Sequence, residues 1–569
     1  MTSSPVCTCT ACPVHARVPR LPAGSGLDAW PQWTGPALDH LSGVVAWLDG
    51  TAAMAADHGA LEARLQVDSR ETYRLLLQGH FDERARREPR LPTVTGSDAV
   101  ARTRVEDGHC RGLMSVFGLV SVTRKAYRAT PGSTPPVSAP RDAPPHEAAA
   151  AGTAPAREAT SKTARNLYPA DAVANLPPGR PSAGLARLAG VEAARGSFAD
   201  ARDAIERSTG VHLSKRQVED LARQAAADID AFYAARRPGP RPEAVLGLQC
   251  DGKGIVMRPG HLRPGTAKAA AAARRKLATR LSPGEKPGRK RMAEITCVYD
   301  LTPVPRTIDD IVADLTADPA ATSSSSTVTG TRRRPGPTVS GKWLSATVID
   351  DIPTAIAAMF DEADRRDPGH DRTWVALVDG NRQQIDAITA QASTRGVNVT
   401  ILIDIIHVIE YVWGAAWTFY DKGEPAAQTW VTDHLQSILA GRAHHVAEAI
   451  TRQADDGAFR GRERTGADAA AAYLTAKAAY LDYPTALARG WQIATGLIEG
   501  AARHLVKDRM DITGARWTTP GAQAVLALRA LTSNGDFHAY WAFHQGQERR
   551  RNHLHRYQQP AQSDVILAA

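Results

Sequence analysis

The sequence predicts an α/β protein: a mixed-sheet core, interrupted by a large helical insertion and preceded by a mainly helical N-terminal region. Three observations carry this reading. Four β-prone apolar runs, residues 245–250, 293–301, 374–378 and 397–406, alternate with helix-capable stretches. Residues 410–489 keep a helical pattern almost throughout, and residues 25–92 space their apolar side chains by three and four. At 569 residues the chain has room for several domains, and its formal charge of +9 favours a polyanionic partner.

Residues 1–24 form a Cys-rich tail, where Cys7, Cys9, Cys12 and His15 offer four soft or borderline ligands. That set suits a small Zn²⁺ knuckle, with a reduced, unstructured tail as the alternative. Residues 25–129 read as a helical module, with helices near 38–56 and 61–87, followed by a small β unit at 112–128. The Pro/Ala/Ser/Thr-rich stretch 130–165 is expected to be a disordered linker. In residues 166–240, Ser197 and Ser214 are candidate N-caps of two helices, 197–208 and 214–226. Joined as a helix-turn-helix, they would present Lys215, Arg216 and Gln217 to DNA; a plain helix pair is the alternative.

The core is expected to begin in residues 241–410. The run 245–250 leads to Asp251, and Gly252-Lys253-Gly254 reads as a hairpin turn before residues 255–257. Asp379 ends the run 374–378 and precedes the helix-capable stretch 382–392. The run 397–406 passes into Asp404-Ile-Ile-His407 and then an aromatic helix. Residues 411–490 are the helical insertion, with Trp413, Trp417, Trp430 and Leu435 as its expected core. Residues 491–520 return to the core with Glu499 on a helix, and residues 521–569 supply C-terminal helices and a basic tail.

Two strand-end aspartates and a helix-borne glutamate form a donor set for two Mg²⁺ or Mn²⁺ ions, because these cations take hard oxygen ligands and keep positions open for water and phosphate. Each Asp-Gly pair alone is usually a turn. Their ordered combination is what points to phosphoryl transfer. Between Arg258 and Arg291 the chain carries eleven Lys or Arg against the single acid Glu285, so this segment, which follows Asp251, is expected to contact a DNA backbone, with a solvated loop as the alternative. Arg274, Arg275, Lys276, Arg289, Lys290 and Arg291 are its candidate phosphate contacts, with Lys253 beside them. The Ser/Thr/Gly/Arg-rich stretch 319–341, with Arg332, Arg333 and Arg334, is expected to be a loop. Arg503 and Lys507 follow Glu499 by four and eight residues and share its helix face.

Several longer stretches carry a resemblance. Asp251-Gly-Lys-Gly-Ile-Val-Met-Arg, Leu281-Ser-Pro-Gly-Glu-Lys, Arg289-Lys-Arg-Met-Ala-Glu and Gly500-Ala-Ala-Arg-His-Leu-Val-Lys-Asp-Arg-Met resemble the ISKra-type bacterial insertion-sequence transposases. The similarity runs over residues 167–557, with a weaker match at 71–128. It implies a DDE transposase with an RNase H-like core, in which Asp251, Asp379 and Glu499 match the three acidic positions. It also implies double-stranded DNA partners, both terminal inverted repeats and target, and a homo-oligomer on DNA. The Asp404-x-x-His407 element resembles the Cys/Asp-x-x-His motif of Mutator-like transposases, which implies a core-organising role beside the site. A buried histidine at a strand end is the bland reading of His407, and Mg²⁺ favours oxygen over imidazole.

The chain has no apolar stretch long enough to cross a membrane and no N-terminal signal core, so a bacterial cytoplasmic, nucleoid-associated protein without a membrane partner is expected. Cys110, Cys250 and Cys297 are expected to be buried thiols. Two rival functions remain at this level: a catalytically silent DNA-binding protein derived from a transposase, and a stand-alone two-metal nuclease.

Overall fold

The structure, a computed structural model, describes residues 30–130, 164–237, 239, 245–272, 289–316, 335–512 and 514–558. The Cys7/Cys9/Cys12/His15 cluster, almost all of the linker, Arg274, Arg275, Lys276 and Arg332 to Arg334 lie outside these residues. The chain divides into two compact units. One comprises residues up to Leu185 with Arg207–Val211 and the stretch from Glu548; the other comprises Ala186–Glu206 and His212–Gln547.

In the first unit, helix α1 (Gly35–Leu48) packs against the long helix α2 (His58–Arg87). Asp57 starts α2 by accepting a hydrogen bond from the Ala60 amide, and Arg64 lies over the Trp47 ring of α1. Gly79 lets the Trp33 carbonyl approach α2, where a Cβ would sit 2.2 Å from that oxygen. A hairpin of β1 (Arg104–Ser115) and β2 (Gly118–Arg128) follows, longer than the expected 112–128 unit. Leu113, Val120 and Val122 of this hairpin form a core with Leu176, flanked by Leu77 and Phe81 of α2. Cys110, on β1, is exposed rather than buried, because the hairpin turns alternate residues outward.

In the second unit, helices α3 (Phe198–Thr209, whose last residues belong to the first unit) and α4 (Lys215–Ala225) fall where the sequence places them. The strands are β3 (Val245–Met257), β4 (Arg289–Thr302), β5 (Thr338–Thr347), β6 (Thr373–Val378) and β7 (Val399–Ile403). Their order in the sheet is β5-β4-β3-β6-β7. The first three are antiparallel, and β6 and β7 run parallel to β3. Helices α5 (Ile352–Arg366) and α6 (Arg382–Arg395) connect the later strands, and Gly396 ends α6 in the left-handed conformation at φ 65°. The central strand residues Leu246, Leu248, Val298, Ala376 and Val378 are all fully buried, as expected for a sheet covered on both faces.

Three expectations about the strands are corrected. Gly252-Lys253-Gly254 is no turn: β3 runs unbroken through Asp251, paired residue by residue with β4 from Val245↔Leu301 to Met257↔Arg289. Neither glycine takes a positive φ. They serve close packing instead, since a Cβ on Gly254 would stand 2.8 Å from the Lys290 side chain on the partner strand. β4 begins at Arg289, so three of the expected loop cations sit on a strand. β5 begins at Thr338, inside the stretch expected to be loop.

Beyond β7 the insertion is helical, as the sequence predicts: α7 (Ile405–Phe419), α8 (Pro425–Leu439), α9 (Ala443–Asp456) and α10 (Thr465–Lys477). Helices α7 and α10 cross where Gly414 and Gly466 meet; a Cβ on Gly466 would stand 2.1 Å from the Gly414 carbonyl. Trp430 and Leu435 are buried as expected. Trp417 is not: it remains 41% exposed, stacked on the half-buried Trp413 at 5.0 Å, because α10 takes the neighbouring face of α7. The chain then enters α11 (Gly496–Ala502), a π-helical turn over Arg503–Lys507, and α12 (Thr519–Ser533). Among the described residues, no helix is long and apolar enough to cross a membrane.

Candidate functional site

Register brings the two aspartates together. Gln249 of β3 stands beside Leu377 of β6 in the parallel ladder, so Asp251 and Asp379, each two residues further on, share a level and a face. Asp379 does sit at a strand end, where its Oδ1 accepts from the Asn381 amide at 2.8 Å, and Asn381 caps α6. Asp251 is held within a strand by the continuous β3–β4 ladder.

Glu499 reaches the same face through Gln249. The Gln249 Oε1 accepts from the Ile498 amide at 3.1 Å, while its Nε2 donates to the Tyr299 hydroxyl at 2.9 Å. Gln249 and Asp251 have the same parity on β3, so the first turn of α11 is tied to the face that carries Asp251. The three acids line one cleft of about 370 Å³. Burial raises the Asp251 carboxyl above its usual range, the Gly252 amide partly offsets this, and the charges of Asp379 and Glu499 raise it further.

Cations line the cleft as well. Lys253, Arg503 and Lys507 all face it. Arg503 and Lys507 bound a π-helical turn that continues α11. Arg529 of α12 holds this turn by donating to the Leu505 carbonyl at 3.0 Å and to the His504 carbonyl. His504 points elsewhere, to the Ser533 hydroxyl at 2.9 Å.

Behind the acids lies a buried polar link. Asp404, with no solvent exposure, caps α7 by accepting from the Ile406 amide at 3.0 Å. Its other oxygen meets His407 Nδ1 at 3.1 Å and the Thr495 hydroxyl at 2.5 Å. The hydrogen bond to Asp404 pushes His407 up to about 9, against the opposing effect of its partial burial. His407 is therefore an imidazolium at neutral pH, and it lines the cleft. Asp404, His407 and Glu499 place ligand atoms within 4.8 Å of one another. Within this trio Asp404 already has three hydrogen-bond partners, the Ile406 amide, His407 and the Thr495 hydroxyl. The donors that suit a hard divalent cation are the carboxylates of Asp251, Asp379 and Glu499.

Other residues singled out in the sequence lie apart. Lys290 pairs with Asp511 at 2.8 Å, and Arg291 donates to the Ile349 carbonyl at 3.1 Å, so both are engaged along the strand rather than offered on a loop. Arg289 lies at the start of β4. Lys215, Arg216 and Gln217 are all exposed at the start of α4, but Gln217 is engaged in a capping box with Ser214 and Arg216 is bonded to Asp220.

The sequence reading missed Thr495, Gln249 and Glu410, which also lines the cleft. A faint signal existed for Thr495, which precedes a helix and stands four residues before Glu499. Nothing local marks Gln249, whose role depends on a helix almost 250 residues away. No protein-family model matches the chain, and a search of curated proteins finds no match.

Proposed function

We propose that the protein is a DNA transposase that cleaves and joins the ends of an insertion-sequence element at the Asp251–Asp379–Glu499 cleft. The observation that carries the reading is the convergence of three carboxylates from two strands and a helix in one cleft bordered by Lys253, Arg503 and Lys507. The sheet order, three antiparallel strands followed by two parallel ones with the acids on the central pair and a nearby helix, supports an RNase H-like core. The helical insertion between β7 and α11 agrees with the same reading.

In this mechanism Asp251, Asp379 and Glu499 would hold two Mg²⁺ or Mn²⁺ ions, which supply activation of a water or a DNA 3′-hydroxyl and stabilisation of the leaving oxygen. Arg503 and Lys507 bind phosphates on one side of the scissile bond, with charge-assisted hydrogen bonds from the guanidinium setting direction. Lys253 does the same from the strand. The His407 cation offsets part of the negative charge that DNA brings to an already acidic cleft, and Asp404 keeps that cation in place. Terminal inverted repeats and target DNA are the substrates, and a homo-oligomer on DNA brings two ends together.

The test is a cleavage assay on DNA carrying candidate inverted-repeat ends, with and without Mg²⁺. Metal-dependent nicking at the repeat boundary and joining to a second DNA are the expected results. Binding without any cutting would mark a silent DNA-binding protein, and cutting without regard to the ends would mark a nuclease.

A further inference from the structure

Thr495 occupies the N-cap of α11, where a threonine hydroxyl ordinarily accepts from an amide of the first turn. Here it makes no such cap. The first-turn amide of Ile498 goes instead to Gln249 and to the Thr495 carbonyl, and the hydroxyl is left for other work. Thr495 is 2% exposed, so that hydroxyl needs protein partners. It has two: Asp404 Oδ2 at 2.5 Å and Glu499 Oε1 at 3.3 Å.

One hydroxyl proton faces two carboxylates. The proton is shared between them: the short contact carries most of the hydrogen bond to Asp404, and a weaker branch reaches Glu499, which guides its carboxylate but leaves it free to turn into the cleft. Asp404 is itself fixed to the strand that carries Asp379, since its amide donates to the Val378 carbonyl at 2.8 Å. An unbroken chain of contacts thus runs from the residue before Asp379, through Asp404 and Thr495, to Glu499.

We propose that Thr495 is a positioning residue, whose hydroxyl sets the Glu499 carboxylate relative to Asp379 so that the acids can share divalent cations. The inference rests on the reading of the cleft as a cation site. A hydroxyl in this place acts on the ligand set without touching substrate, and loss of such a partner typically weakens metal affinity about 10–100-fold.

The experiment uses Mn²⁺ binding to the full chain, followed by the electron paramagnetic resonance signal of the free ion, with melting temperature measured in metal-free buffer. Thr495→Val keeps the shape and removes the hydroxyl; its Mn²⁺ dissociation constant should rise about tenfold or more. Thr495→Ser should stay within about twofold of the parent, because it keeps the hydroxyl. If the valine variant does not fold, Thr495→Ala against Thr495→Ser gives the same comparison. Unchanged Mn²⁺ affinity in the hydroxyl-free variant, alongside lost binding in Glu499→Gln, overturns the role of Thr495 and leaves the cation site standing. Parent-like Mn²⁺ binding in both Asp251→Asn and Glu499→Gln overturns the cation site and the inference with it. A fall in melting temperature shared by the valine and serine variants, without a difference in affinity between them, makes Thr495 merely structural and also overturns the proposal.

Discussion

The sheet of the second unit carries the buried Asp300 on β4 and the half-buried Asp251 on the neighbouring β3, and their surroundings are built in opposite ways. Near the C-terminal end of β4, Asp300 has no solvent exposure and pairs with Arg372 at 2.9 Å and Arg366 at 3.2 Å, and Arg366 also meets Glu362 at 2.8 Å. On β3, opposite Ile295, Asp251 receives one short backbone hydrogen bond from Gly252, and its nearest charged influences include two more acids. Both acids lie in the same sheet. Their charged partners separate a structural carboxylate from one held ready for a ligand. A neutralised cluster stabilises the fold, whereas a cluster of mutually repelling acids costs stability until a cation arrives.

The largest expected effect breaks the comparison at the cleft. Asp251→Asn, Asp379→Asn and Glu499→Gln should each reduce DNA cleavage to background while leaving binding to the element ends largely intact, as seen by gel shift beside a cleavage assay. Because burial and neighbouring acids hold Asp251 above the usual carboxylate range, charging it opposes folding as pH rises through its folded value. Asp251→Asn should therefore keep or raise the metal-free melting temperature at neutral pH. Normal cutting by any of the three variants removes that residue from the assignment.

Asp300 should behave in the reverse manner. Asp300→Ala leaves Arg366 and Arg372 buried without their carboxylate and should cost about 3–5 kcal/mol in denaturant unfolding, with no selective effect on metal binding. A stability loss as small as that of a surface residue would erase the contrast between the two acids.

A smaller effect is expected from the cations of the cleft. Arg503→Ala and Lys507→Ala should weaken DNA binding on all sequences alike and should each reduce the slope of log affinity against log salt by about 1. Lys290→Ala, which removes the partner of Asp511, should leave that slope unchanged.

The smallest effect concerns His407. Its folded value of about 9 lies above the ordinary histidine value, so its contribution to stability is fully present below about pH 6.5 and is lost as pH rises through about 9. Melting temperature should fall between these limits, and His407→Gln should flatten that part of the profile. An unchanged profile in the variant would show that the Asp404 link does not stabilise the charged ring.

Much of the cleft was legible because its signals are local. The apolar run before Asp379, with Asn381 and a helix after it, marks a strand end in any context. Ser214 with Gln217 three residues on marks a helix start, and the same box engages the Gln217 side chain although it stays exposed. Glu499 on a helix and Arg503 on its face follow from spacing. The two tryptophans Trp413 and Trp417 were misplaced because an aromatic residue at helical spacing looks the same whether or not a neighbouring helix covers it.

By itself the sequence determined the strands β3, β4, β6 and β7, though not β5, the acidic and basic residue types available, and the helical character of the insertion, since each depends on side chains within one or two turns. Tertiary structure alone decided what Gly252 and Gly254 do, because a glycine reads as a turn until a partner strand such as β4 is present to fill its space. It decided that Lys290 is paired, that Gln249 anchors the helix of Glu499, and that Thr495 meets Asp404. Each of these depends on the distance between atoms far apart in the chain, and hydrogen bonds and charges act over ångströms rather than along sequence.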